Sequence, residues 1–258
     1  MPSPYSEHGF DPTLGGRLPA LSFEAPLHDE RWRRLLINSA DLPVAWRTND
    51  IYLGIENHDV TFISAPVGSG KSTFIPTMVA LTGDNRVLCC EPRRDLTEDL
   101  GLRTSHILGE SLGQTVAFRH AERKRGGGNA KLLYCTAGLA LEREFRQQND
   151  DFEVVVLDDA HTRSLNLDTL LALYKRLLLD GENIKLVIMS GTLQHESLMH
   201  FYEKDGLSVT HIDISGSMFP VESREPGESM EHDLVLAIDE GFDVALGIYP
   251  GRHALLRG

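Results

Sequence analysis

Asp-Val-Thr-Phe-Ile-Ser, residues 59–64, runs directly into Ala-Pro-Val-Gly-Ser-Gly-Lys-Ser-Thr, residues 65–73. An apolar, β-branched run that ends in a glycine-punctuated loop has the strand-then-loop order of a phosphate-binding P-loop. Gly68 and Gly70 let the backbone turn back and aim successive N–H groups at one anion. Lys71 then reaches the outer phosphates, and the Ser72 hydroxyl is placed to ligate Mg²⁺. The usual pattern opens with glycine where this chain has Ala65, but Gly68, Ser69, Gly70, Lys71, Ser72 and Thr73 keep the part that carries the chemistry. Phe74, Ile75, Met78, Val79 and Leu81 follow as the apolar side of a helix.

Outward from this point the chain alternates two kinds of segment. Residues 60–64, 86–90, 115–118, 131–135, 153–157, 185–190 and 208–212 are short, aliphatic or β-branched runs. Most lack strict polar alternation, as expected of strands covered on both faces. Helical stretches lie between them, clearest at 168–179. That order predicts an α/β fold, a mostly parallel sheet with helices on both faces. Residues 1–43, rich in Pro, Gly and Ser, read as a partly disordered lead-in with one helix near 29–38. Residues 44–221 read as the main domain, and 222–258 as a linker followed by a further strand at 243–249. Residues 123–129, Arg-Lys-Arg-Gly-Gly-Gly-Asn, read as a flexible, exposed loop.

Composition narrows the setting. Apolar residues make up 41% and charged residues 24% of 258, ordinary for a globular protein. There is no signal-peptide pattern and no run long enough to cross a membrane. Cys89, Cys90 and Cys135 sit inside strand-like runs, which favours buried thiols and a reducing compartment, cytoplasmic or nuclear. The eleven histidines show no metal-ligand spacing. The net charge of −13 is unevenly placed. Residues 86–131 carry nine Lys/Arg against six Asp/Glu, whereas 196–243 carry two against twelve. A polyanion would be held by the middle and repelled by the last third.

A P-loop enzyme needs a second, acidic group at the end of another strand. Val154-Val155-Val156-Leu157-Asp158-Asp159-Ala160-His161 supplies it. Asp158, at the carboxyl end of its strand, is placed to hold Mg²⁺, and Asp159 to orient or deprotonate the attacking water. His161 is placed to couple that site to Ser190-Gly191-Thr192.

These segments, in this order, resemble the first RecA-like domain of superfamily 2 DExH/DEAH-box helicases, cellular or viral. Leu42-Pro43 resembles the segment leading into the first strand. A-P-V-G-S-G-K-S-T with Ile75-Pro76 resembles motif I, Glu91-Pro92-Arg93-Arg94 motif Ia, and Thr136-Ala137-Gly138 motif Ib. Asp158-Asp159-Ala160-His161 resembles motif II, and Ser190-Gly191-Thr192-Leu193 motif III. The resemblance implies a RecA-like P-loop NTPase that binds and hydrolyses ATP (NTP) with Mg²⁺. It implies Lys71, Asp159 and His161 as catalytic residues and Ser72 and Asp158 as metal ligands. Arg93, Arg94 and Thr136 become contacts to single-stranded nucleic acid, RNA ahead of DNA, and Ser190 and Thr192 the coupling segment. The strand at 243–249 resembles the start of a second RecA-like domain whose remainder is missing from this chain, which implies a weakly active isolated domain. Asp159 stands where the family usually has Glu, and Gly191 where it has Ala. These departures keep open a second reading, a non-catalytic nucleotide- or RNA-binding module or a degenerate helicase paralogue.

Overall fold

The computed structural model describes residues 21–23, 25–126, 130–146, 152–191 and 196–214. In chain order these form α1 (Glu30–Ser39), α2 (Thr48–Asn57), β1 (Val60–Ser64), α3 (Lys71–Leu81), β2 (Val87–Glu91) and α4 (Arg94–Leu108). There follow β3 (Val116–Arg119), β4 (Lys124–Arg125), β5 (Leu132–Thr136), α5 (Ala137–Phe145) and β6 (Val154–Leu157). The last are α6 (Leu165–Leu179), β7 (Lys185–Ser190), α7 (Glu196–Glu203) and β8 (Val209–Asp213). The eight strands make one sheet in the order β4-β3-β5-β2-β6-β7-β1-β8. Every neighbouring pair is parallel except β3–β4.

Alternate residues along each central strand feed two separate cores. Ile63, Cys89, Tyr134, Val156 and Met189 belong to the core that also contains residues of α1, α3 and α4. Phe62, Cys90, Cys135, Leu157 and Ile188 belong to the core with residues of α5, α6 and Tyr202 of α7. Both faces are apolar because both are covered, which is why the strands read as continuous hydrophobic runs. The parallel order brings the carboxyl ends of β1, β2, β5, β6 and β7 to one edge, where ligands gather in such sheets.

Strands β1 and β7 coincide with the expected 60–64 and 185–190, and β2, β3, β5, β6 and β8 each fall within one residue of expectation. One expectation is corrected. Within the expected loop at 123–129, Lys124 and Arg125 pair antiparallel with β3, as Phe118↔Arg125 and Arg119↔Lys124. The glycines that suggested flexibility follow the strand. The helix expected near residues 29–38 is α1, and it packs into the core. Trp32, Leu35 and Leu36 of α1 are fully buried, and burial of each such side chain is worth about 1.5–3 kcal/mol. Asp29 caps α1 by accepting from the Arg31 N–H, and α1 shares its core with α3 and α4. Residues 222–258, with the expected linker and strand, lie outside the described residues.

Candidate nucleotide site and nucleic-acid edge

The loop after β1 turns through Gly68 (φ 83°) and Gly70 (φ 89°), both in the left-handed region that favours glycine. Phe74 N–H donates to the Gly70 carbonyl at 2.8 Å and starts α3. Pro76 lies inside that helix. It has no N–H, so the carbonyl of Ser72 loses its i+4 partner. The Tyr134 hydroxyl fills that role from β5, donating to the Ser72 carbonyl at 3.0 Å. A buried phenol on the neighbouring sheet thus lets Ile-Pro stand directly after the loop.

Lys71, at the start of α3, is buried and lies 3.6 Å from Asp159 Oδ1. Asp158 is 1% exposed. Its Oδ1 accepts from the Asp159 N–H at 2.7 Å, while Oδ2 is buried with no hydrogen-bond partner. Burial raises the Asp158 pKa above the ordinary carboxylate value, opposed by the Lys71 charge and a hydrogen bond from Ser72. Asp159 adopts a left-handed backbone (φ 50°), uncommon outside glycine. That turn, just after β6, points the two successive carboxylates of Asp158 and Asp159 to different partners. His161 Nδ1 lies 3.4 Å from Ser190 Oγ and 4.0 Å from Asp159 Oδ1. The motif II and motif III residues therefore meet through this imidazole. Thr192 lies outside the described residues.

One group escaped the sequence reading as a site residue. Glu91, at the end of β2, is 1% exposed, and Cys89 Sγ donates to its Oε1 at 3.5 Å. Burial drives its pKa well above the usual carboxylate range, and the charge of Asp158 adds to the rise. An acid that ends a buried strand within reach of a second acid was the available signal. Its position inside Glu-Pro-Arg-Arg drew attention to the arginines instead.

The arginines behave differently. Strands β2 and β5 pair so that Glu91 stands opposite Thr136. Arg93 and Arg94 at the start of α4 therefore share one edge with Thr136 at the start of α5. Neither Arg93 nor Thr136 makes a side-chain cap to its helix. Arg93 is 64% exposed and 3.6 Å from Asp95; Arg94 is 57% exposed and paired with Glu122. Arg123, on the β3–β4 hairpin, bonds Glu98 of α4 at 2.7 Å, so this basic cluster braces the hairpin. Among the described residues no group of three or more His, Cys, Asp or Glu side chains could hold a metal, and no helix is long and apolar enough to cross a membrane.

A mostly parallel sheet between two helical layers, with a glycine loop and paired acids at its carboxyl edge, defines an α/β domain of the RecA-like class. The chain belongs to the DEAD/DEAH box helicase family, which it matches over residues 47–201. It is similar to ATP-dependent RNA helicase DHX30 of Rattus norvegicus, 33% identical over 207 residues, covering 75% of this chain and 17% of the relative. It is also similar to ATP-dependent RNA helicase dhx29 of Xenopus laevis, 29% identical over 210 residues, covering 74% of this chain and 15% of the relative. The chain thus spans about a sixth of the length of these relatives.

Proposed function

We propose that this chain is the ATP-binding motor domain of an ATP-dependent RNA helicase. The observation that carries the reading is the buried, unpartnered Oδ2 of Asp158 beside Lys71 and the Ser72 hydroxyl. A carboxylate oxygen left without a partner in a buried site is costly unless a ligand satisfies it. The donor set, one carboxylate and one hydroxyl, suits a Mg²⁺ that keeps its remaining coordination for water and phosphate. Bound there with the nucleotide, Mg²⁺ would offset charge on the β- and γ-phosphates.

Gly68 to Thr73 cradle the phosphates with backbone N–H groups. Lys71 is shared: a γ-phosphate competes with Asp159 for its ammonium, and in losing Lys71 the Asp159 carboxylate becomes free to orient water. His161 and Ser190 carry that change toward the motif III segment. Arg93, Arg94 and Thr136 hold the sugar-phosphate backbone of a single strand, independent of sequence. Unwinding belongs to this reading as the work of a second RecA-like domain closing on the first. RNA is favoured because the similar proteins are named RNA helicases.

The test is ATPase activity with and without single-stranded RNA, on this chain and on Lys71→Ala. Turnover that RNA stimulates and Lys71→Ala reduces by about 100-fold or more is expected, the scale of losing a preorganised positive charge at a reacting phosphate. Turnover that survives Lys71→Ala overturns the assignment.

A further inference from the structure

The two halves of the P-loop have different surroundings. Val67 is 91% exposed, and a side chain added at Gly68 would meet nothing within 4 Å. Two residues later the chain is gripped. A Cβ on Gly70 would fall 2.6 Å from Leu42 Cδ1 and 3.1 Å from Val44 Cγ1. The Val44 N–H reaches the Ser69 carbonyl at 3.4 Å, and Ser69 is itself buried. The grip therefore falls on the peptide that delivers Lys71, while the outer turn at Val67 and Gly68 stands clear.

The gripping segment is itself well anchored. Leu42 N–H donates to the Ser39 carbonyl at 2.9 Å at the end of α1, whose Trp32, Leu35 and Leu36 are buried. Ala45 N–H donates to the Leu42 carbonyl at 3.0 Å, and the Thr48 hydroxyl to the Ala45 carbonyl at 2.6 Å. Arg47 closes the far end, paired with Asp50 and donating to the Asp213 carbonyl at 2.6 Å beside the end of β8.

We infer that Leu42 and Val44 are positioning residues of the nucleotide site: a brace that holds the Ser69–Gly70 turn in its left-handed form and so fixes where Lys71 meets a phosphate. The inference rests on Gly68 to Thr73 being the phosphate loop. A backbone that needs φ 89° gains nothing from local sequence except permission; glycine allows the turn but does not select it. Selection comes from packing, and the side chains nearest to where a Gly70 Cβ would stand are Leu42 and Val44. The leading helix thereby becomes part of the nucleotide site without touching nucleotide.

The experiment is equilibrium binding of a fluorescent ATP analogue with Mg²⁺, beside single-stranded RNA binding, on the whole chain. Leu42→Ala removes the side chain nearest to where a Gly70 Cβ would stand and weakens nucleotide binding roughly tenfold, because a site whose supporting shell is loosened is no longer preorganised for its ligand. Leu42→Met, which restores reach, stays within about twofold of the parent. RNA affinity is unchanged in both. Ile51→Val, a mild truncation in the same core that leaves the brace intact, lowers the melting temperature but leaves nucleotide affinity alone. Nucleotide affinity within twofold of the parent for Leu42→Ala overturns the inference, as does an equal loss in Ile51→Val. Should Leu42→Ala melt too low to assay, Leu42→Val reads the same way with a smaller loss. Lys71→Ala run alongside separates the two ideas: if it leaves nucleotide binding intact, the phosphate loop itself is misassigned.

Discussion

The candidate nucleotide site and the arginine edge lie at the carboxyl ends of adjoining strands, yet they are built on opposite principles. At the P-loop the titratable groups are buried: Lys71, Asp158 and Glu91 are each under a tenth exposed. At the start of α4, Arg93 and Arg94 are more than half exposed, and each already has a carboxylate partner. Buried charge acts through little-screened fields and fixed geometry, so one atom out of place is felt. Exposed charge acts through many weak contacts that salt screens. The first arrangement suits a reacting phosphate, and the second suits a strand that must be held without regard to sequence and then released.

Gly70→Ala breaks the comparison most severely. The new methyl would enter Leu42 Cδ1 at 2.6 Å and would sit at φ 89°. A side chain in that backbone region costs about 1–2 kcal/mol before any clash. The expected result is a loss of nucleotide affinity of about 100-fold, measured by titration of a fluorescent ATP analogue, with RNA binding unaltered. An affinity within a few-fold of the parent would mean that the loop is far more yielding than its packing indicates.

Glu91→Gln sharpens the contrast through pH. Glu91 and Asp158 both have pKa values raised by burial. An acid whose folded pKa lies above its unfolded value holds its proton longer when folded. It therefore contributes fully below the unfolded pKa, and that contribution is lost as pH rises through the folded pKa. A neutral amide at this position suffers no such loss. Glu91→Gln is expected to melt higher than the parent at pH 8, with the gain vanishing near pH 4, below the ordinary glutamate value of 4.5. A gain of about 1 kcal/mol would appear as ~2–4 °C in a domain of this size. A gain of the same size at both pH values would show that the carboxyl carries no buried charge.

Much of this was legible in the sequence, for identifiable reasons. The strands were readable because β-branched runs between glycines and polar residues have few other solutions. That Lys71, Asp158 and Asp159 come together was readable because they end or follow such runs, and a parallel sheet gathers those ends. Three features were not. Tyr134 supports the Ser72 carbonyl from 62 residues away, a contact that only the β2–β5 pairing creates. Leu42 and Val44 touch the P-loop because α1 is buried, which the Pro- and Gly-rich composition around it concealed. Glu91 looked like one more charged residue until its exposure was known. In each case the missing information was which segments lie side by side.

The smallest expected effect lies at the exposed edge. Asp95 and Glu122 already offset part of the charge that Arg93 and Arg94 would offer a phosphate. The double variant Arg93→Ala/Arg94→Ala is therefore expected to weaken single-stranded RNA binding only about three- to tenfold at moderate salt. The slope of log affinity against log salt should flatten by about 0.7 for each phosphate contact removed. Nucleotide affinity should not move, because neither guanidinium is part of the buried cluster. Glu122→Gln frees Arg94 from its partner and is expected to strengthen RNA binding by about twofold at low salt, an exposed ion pair being worth ~0.2–1 kcal/mol. If the double variant leaves both the affinity and the slope unchanged, the strand does not cross this edge. The paired arginines would then serve only to fasten α4 to the hairpin that carries Glu122.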